Sequence, residues 1–548
     1  MQSIRKKRIL FCCEATYLNT GYATYGREVL KRLYDTDKYE IAEFASYGKE
    51  FETRAKEIPW TFYPNQPNDD DKAGQEEYDS IQTNQFGEWR FEKVLLDFQP
   101  DFVCDIRDFW MIDYQERSPF RRLFNWVIMP TVDASPQNEQ WMATYISADA
   151  VFSYSDWGGQ ILQKESNNKI NYLGTASPSA HSAYSPVPDK QAHKENMGFS
   201  SDSLIVGTVM RNQRRKLFPD LFDAFRQFLD MYKKNDVFLY CHTSYPDLGW
   251  DLPKLINRYG LSSRIIVTYV CPACNHAFPM YFSDARTKCS RCGGHSASLA
   301  NVQNGVSYEF LSQIMNTFDL YIQYANSEGF GLPQVEAAAC GVPVMSVDYS
   351  AMSSVVRKLE GVPIKTKATY NELETGCDRA VPDNKHAAKS MYEFFTMSEK
   401  RREAKGNKVQ GLFKKHYQWD KTAHMWESYF DSVDIKPREE TWLSPPRIHQ
   451  FSKEVPQGLS TRQYVQWLII NVLGEPERLN SYIESRMVRD LNYGMYIQGT
   501  GGMYLNEDSY GFVKPDFQSF GVEEAYNMMA SLCVRRNEWE QRRMESVQ

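Results

Sequence analysis

Long apolar runs are missing from the 548-residue sequence: none approaches the roughly 18 residues that a membrane-spanning helix needs. The N-terminus, Met1-Gln-Ser-Ile-Arg-Lys-Lys-Arg8, is basic, but its apolar stretch stops at Cys13 and meets Glu14. A signal-peptide core of about 7–15 apolar residues is therefore lacking, and a cytoplasmic protein without membrane insertion is expected. Charge of one sign is also lacking, since 63 Lys and Arg stand against 70 Asp and Glu for a net charge of -7. Residues 1–150 carry 18 basic and 26 acidic side chains, and the rest is close to neutral. Bulk charge thus draws in no polyanion, which would have to find a local basic patch. Cysteine is sparse and odd in number, eleven in all, which argues for thiols or metal ligands over a disulfide framework. Apolar residues at 42% and charged ones at 24% exclude a disordered or fibrous chain, and the length suits about three domains.

Short β-branched runs alternate with amphipathic helical stretches through the first 430 residues. Arg8-Ile-Leu-Phe-Cys-Cys13 reads as a buried strand, and the loop Asn19-Thr-Gly-Tyr-Ala-Thr-Tyr-Gly26 leads to a helix at Arg27–Leu33. Further strands are expected at Phe102–Cys104, Trp126–Met129 and Ala150–Ser153. The pattern restarts with a strand at Ser203–Met210 and a helix at Leu217–Tyr232. Strands at Val237–Cys241, Arg264–Tyr269, Leu320–Gln323 and Pro343–Val347 follow. Apolar strands alternating with helices indicate parallel sheets covered on both faces. The stretch around residues 175–200, with Pro178, Pro186 and Pro188, is the linker between two similar α/β halves. Such halves bind ligands at the carboxyl ends of their strands. After about residue 435 prolines mark a connector. A helix then starts at Ser460-Thr-Arg-Gln463 with capping-box spacing, and a second spans about Val522 to Met544.

The sharpest segment is Asn326-Ser-Glu-Gly-Phe-Gly-Leu-Pro-Gln-Val-Glu-Ala-Ala-Ala-Cys-Gly-Val-Pro-Val344, in which seven residues separate Glu328 from Glu336. Gly329 and Gly331 let backbone approach a ligand, and a helix from Pro333 turns free N–H groups toward it. Carboxylates there accept hydrogen bonds from sugar or ribose hydroxyls, so the segment describes a site for an anion plus a polyol.

This segment resembles the E-x7-E signature of the retaining family-4 glycosyltransferases, of a virus-like type, and supporting matches run over roughly residues 5–430. The resemblance implies the GT-B fold, an α/β architecture of two Rossmann-like doubly wound domains facing a cleft. It implies that Arg211 and Lys216, five residues apart, neutralise the donor diphosphate. Glu328 would contact the donor sugar, with Gly329, Phe330, Gly331 and Leu332 lining sugar and phosphate and Glu336 holding the ribose hydroxyls. Gly21 and Tyr22 match the loop beside the phosphates, and Asp133 stands where members often carry a His facing the reacting sugar. Asp105 and Asp108 lie on the preceding strand-end loop, and His242 follows a strand facing the cleft as a donor-site candidate.

Cys271-Pro-Ala-Cys274 and Cys289-Ser-Arg-Cys292, with fourteen residues between them, have the spacing of a structural four-thiolate zinc site. Four cysteines leave no open coordination position, so no catalytic metal is expected. The organisation expected is an acceptor domain over 1–185, a donor domain over 186–410 with a zinc ribbon at 271–292, a crossover helix over 411–434 and an appended, mainly helical module over 435–548. The function expected is retaining transfer of a sugar from a nucleotide-diphosphate donor, such as a UDP-sugar, to a hydroxyl acceptor. One acceptor is hydroxymethylated pyrimidine in DNA, and a glycan or protein is the alternative. A non-catalytic binding protein on the same fold is the rival from another class. Nothing in the sequence sets the oligomeric state.

Overall fold

The computed structural model describes residues 5–438 except 50, 119, 234–235 and 302–303, together with 441–442, 458–473 and positions 476, 479, 484 and 488. Seven strands make the first sheet: β1 (Lys7–Glu14), β2 (Tyr39–Ser46), β3 (Thr61–Pro64), β4 (Phe102–Asp105), β5 (Asn125–Ile128), β6 (Ala150–Ser153) and β7 (Tyr172–Thr175). Their order is β3-β2-β1-β4-β5-β6-β7, with β1 parallel to β2 and to β4. Ile9 to Cys13 are wholly buried, as an unbroken apolar run in a central parallel strand must be.

The second sheet holds β8 (Leu204–Val209), β9 (Val237–His242), β10 (Ile265–Cys271), β11 (His276–Tyr281), β12 (Arg286–Thr287), β13 (Ala297–Leu299), β14 (Leu320–Gln323), β15 (Val344–Val347) and β16 (Val362–Ile364). Its parallel part runs β10-β9-β8-β14-β15-β16, which is the 3-2-1-4-5-6 order of a dinucleotide-binding half. The strand order reverses between β8 and β14, so the loops after these two strands open a crevice there. β11 and β13 add antiparallel to β10, which makes the sheet mixed. A hairpin of β17 (Thr366–Asn371) and β18 (Asp378–Pro382) stands apart from both sheets.

The helix Phe218–Met231 shows why the core forms. Phe218, Leu221, Phe222, Phe225, Phe228 and Leu229 recur at three- and four-residue spacing, and all six are buried against β8, β9 and β10. Two expectations change. The helix expected from Arg27 begins at Gly21, because Thr20 caps it by accepting from the Ala23 amide at 3.2 Å. The stretch 411–434 is not one helix: Glu399–His416 ends at Tyr417, and Trp419–Ser432 starts anew. The capping box at Ser460 is formed and opens the helix Thr461–Leu468. The loop expected at Gly494–Gly511 and the helix expected at Val522–Met544 lie outside the described residues.

The chain divides into two compact units. One comprises the described residues of Met1–Leu18, Leu33–Val127 and Phe430–Gln548, and the other Asn19–Arg32 and Ile128–Tyr429. In the first, Asp105 is fully buried and paired with Arg107, whose guanidinium also reaches Ser46 and the Phe86 carbonyl. That makes Asp105 a structural ion-pair partner. Asp108 lies in the same unit, at the head of the helix Phe109–Glu116, and the remaining residues named as site candidates lie in the second unit.

Candidate active site

The crevice at the switch point gathers the loops after β8 and β14. Glu328, only 6% exposed, follows β14, and its carboxylate accepts from Gln323 Nε2 at 2.8 Å. The Lys216 ammonium contacts Oε1, and Arg215 Nη1 lies 2.8 Å from Oε2. A carboxylate so buried needs this compensation, because a lone buried charge is expensive. Arg211 is turned elsewhere: its Nε and Nη2 meet Asp247 at 2.9 and 3.1 Å. Arg215 was not singled out from the sequence, where Arg211-Asn-Gln-Arg-Arg-Lys216 reads as a solvated basic run.

The amide of Glu328 donates to Ser350 Oγ at 3.0 Å. Ser350 is fully buried and holds a left-handed φ of 51°, a costly conformation for a residue with a Cβ. This places its hydroxyl under the Glu328 backbone, and no sequence signal announced it. Gly329 needs its missing side chain, since a Cβ there would lie 2.2 Å from Thr131 Cγ2. Thr131 in turn meets the Tyr22 hydroxyl at 2.6 Å, so Tyr22 and Gly329 flank one threonine. Gly21 heads its helix, and a Cβ added to it would meet nothing within 4 Å.

Gly331, with φ 83°, caps the helix Leu332–Ala339 and offers no side chain to its first-turn N–H groups. Those groups and the helix dipole suit an anion. Phe330 packs inward, with its ring edge-on to Tyr417 at 5.9 Å. On this helix the Glu336 carboxyl is pushed up to about 7 by burial, partly offset by the nearby Tyr184 hydroxyl. Tyr184 is buried, and its hydroxyl lies toward Glu336 without closing a hydrogen bond of good geometry.

Asp133 joins the same neighbourhood. Its Oδ2 accepts from Ser327 Oγ at 3.1 Å and from Arg379 Nη1 at 2.8 Å. Arg379, on β18, also donates to Ser327 Oγ and to Glu372 Oε2 at 2.6 Å each. Arg379 and Glu372 were not found in the sequence, because a polar hairpin carries no motif. His242 closes β9 with Nδ1 2.9 Å from Thr268 Oγ1, and burial pushes its imidazole down to about 4, so it is neutral at pH 7. It is tied to Thr268 and not to the acidic cluster.

The sulfurs of Cys271, Cys274, Cys289 and Cys292 lie within 4.8 Å of one another and can hold a metal ion. Cys271 and Cys292 are 3.7 Å apart, as are Cys274 and Cys289. A tetrahedron with metal–sulfur bonds of about 2.3 Å has edges of about 3.8 Å, so these thiols fit zinc. Among the described residues no helix is long and apolar enough to cross a membrane.

Residues 300–393, which include Glu328, Glu336, Ser350 and Arg379, match the family described as glycosyl transferases group 1. No curated protein matches the chain in sequence. Among solved structures, sucrose-phosphate synthase from Thermosynechococcus elongatus is similar with a TM-score of 0.55 at 13% identity, over 78% of this chain and 100% of that one. HepE of Anabaena, in complex with UDP and glucose, gives a TM-score of 0.54 at 14% identity over 78% and 100%. WaaG, a glycosyltransferase involved in lipopolysaccharide biosynthesis, gives 0.52 at 10% identity over 78% and 100%. At such identities the likeness establishes the fold, and the matched domain supplies the chemistry. Domain and fold together make the chain a glycosyltransferase of GT-B fold.

Proposed function

We propose that the chain transfers a sugar, with retention, from a nucleotide-diphosphate donor such as a UDP-sugar to a hydroxyl acceptor. The observation that carries this reading is the buried Glu328 between Lys216 and Arg215, beside the uncapped helix start at Gly331. The UDP and glucose held by Anabaena HepE support the class of donor. Lys216 and the first-turn N–H groups of Leu332–Ala339 stabilise charge growing on the leaving diphosphate, and Arg211 joins them on exchanging Asp247 for the phosphates. Glu328 accepts from hydroxyls of the donor sugar, Gly329 to Leu332 line sugar and phosphate, and Glu336 accepts from the ribose hydroxyls. Asp133 faces the reacting sugar as a hydrogen-bond acceptor, with Gly21, Tyr22 and His242 as the remaining donor-side contacts. The acceptor hydroxyl attacks from the face the diphosphate leaves, and a donor phosphate oxygen takes its proton. No catalytic metal enters this scheme, and zinc in the four-cysteine site serves structure.

For the acceptor, hydroxymethylated pyrimidine in DNA is the reading we favour over a glycan or protein. It is supported by the helix Glu399–His416, which exposes Lys400, Arg401, Lys405, Lys408, Lys414 and Lys415 on an otherwise acidic chain. Phosphate neutralisation by such a face gives sequence-independent attraction. The ten cysteines among the described residues are free thiols, which suits a cytoplasmic setting. Transfer of radiolabelled sugar to hydroxymethylated but not to plain DNA is the expected outcome, with the product in the donor's anomeric configuration by NMR. No transfer to any DNA would remove this acceptor, and an inverted product would remove retention.

A further inference from the structure

The four cysteines are not a detached knuckle. Cys271 is the last residue of β10, and Cys289, 1% exposed, belongs to the same apolar core as Leu239, Ile265, Phe278 and Leu299. β11 pairs with β10 from Ile266 to Cys271, and β13 pairs with it at Tyr269 and Val270. These added strands are short: β13 has three residues and β12 two. Strands of that length do not hold themselves, and a metal is a common staple for so small a subdomain.

Two connections lead from this subdomain to the crevice. Along β10, Thr268 Oγ1 meets both His242 Nδ1 and the Tyr240 hydroxyl at 2.9 Å. Beyond β11, the Tyr269 hydroxyl donates to the Asp284 carbonyl at 2.6 Å, and Phe282 lies edge-on to Tyr245 at 6.2 Å. Tyr245 sits in the loop 243–250, which holds Asp247, the partner of Arg211. At the end of that loop the Trp250 amide donates to Asn212 Oδ1 at 2.8 Å, and its indole donates to the Lys216 carbonyl at 2.8 Å. The loop therefore touches the backbone or side chain of Arg211, Asn212 and Lys216.

We propose that zinc held by Cys271, Cys274, Cys289 and Cys292 braces the 243–250 loop, so that metal occupancy sets the affinity of the crevice for a nucleoside diphosphate. The ligand named here rests on the proposed function; the bracing does not. Without the ion, four sulfurs crowded within 4.8 Å lose the bonds that hold them together. β11 and β13 then loosen, and with them Phe282 and Asp284.

The full chain is purified, its zinc content measured, and UDP affinity compared by calorimetry before and after chelation. The expected result is about one zinc per chain, UDP binding weaker by about ten-fold on removal, and recovery when zinc is returned. Cys292→Ser, at the exposed cysteine, weakens binding in the same direction while leaving the buried core intact. Hydrogen exchange over 243–250 reads the brace without any nucleotide and is expected to quicken on zinc loss. Unchanged exchange there, or unchanged UDP affinity in the metal-free chain and in Cys292→Ser, overturns the proposal. Failure of the zinc-loaded wild type to bind UDP while exchange still responds to zinc tells against the nucleotide reading and leaves the brace standing.

Discussion

At the scale of single residues, two glutamates with seven residues between them in one motif meet opposite surroundings. Glu328 is compensated by Lys216 and Arg215, whereas Glu336 is buried beside a tyrosine hydroxyl and is pushed up to about 7. In the proposed donor site the ribose hydroxyls donate to Glu336, so binding there would favour the ionised carboxylate. UDP affinity is therefore expected to rise as pH climbs from 6 to 8 and to flatten above. Below about 7 the slope approaches ten-fold per pH unit, and Glu336→Gln is expected to remove it. Calorimetry across that range on both proteins checks this against UDP's own titration. The stability linkage has a fixed sign too. A carboxyl raised above its unfolded value favours the fold below that value, and the contribution is lost as pH rises through about 7. The motif made both glutamates legible in the sequence. Arg215 was hidden in a basic run, and Ser350 and Tyr184 were hidden because burial and a left-handed φ leave no trace in residue type.

At the scale of elements, apolar runs were legible because a central parallel strand must be apolar throughout. Arg8–Cys13 lies within β1, and Leu320–Gln323 is β14. The hairpin β17–β18 escaped notice because Thr366-Lys-Ala-Thr-Tyr-Asn371 is mostly exposed, and so has no apolar alternation to show. Yet it delivers Arg379 to Asp133, Ser327 and Glu372. Removing Arg379 takes its ion pair from both Asp133 and Glu372, and lysine cannot restore a planar fork that spans three oxygens. Arg379→Ala is expected to lower turnover by roughly 10–100-fold. Arg379→Lys is expected to recover little of it, and both should leave UDP affinity near wild type. Steady-state kinetics beside calorimetry separates these effects, and an equal loss of UDP binding would place Arg379 at the phosphates instead.

At the scale of the whole molecule, two sheets share the 3-2-1-4 strand order, and the second places its reversal between β8 and β14. That topology explains why residues more than a hundred positions apart, Lys216 and Glu328, meet at one point. The repeated βα pattern was legible because each half restarts it. The grouping of Asn19–Arg32 with Ile128–Tyr429 was not, since long-range contacts leave no periodic signal. The four-cysteine ribbon was legible from spacing alone, but its continuity with the core of β9 and β10 appears only in three dimensions. The claim tested most directly is that this crevice cleaves a nucleotide sugar. The measurement is release of nucleoside diphosphate from a panel of nucleotide sugars by wild type, Lys216→Ala and Glu328→Ala. Wild type is expected to bind and slowly hydrolyse at least one donor, with both variants slower by about a hundred-fold or more. No release from any donor, or variants as fast as wild type, would contradict the account.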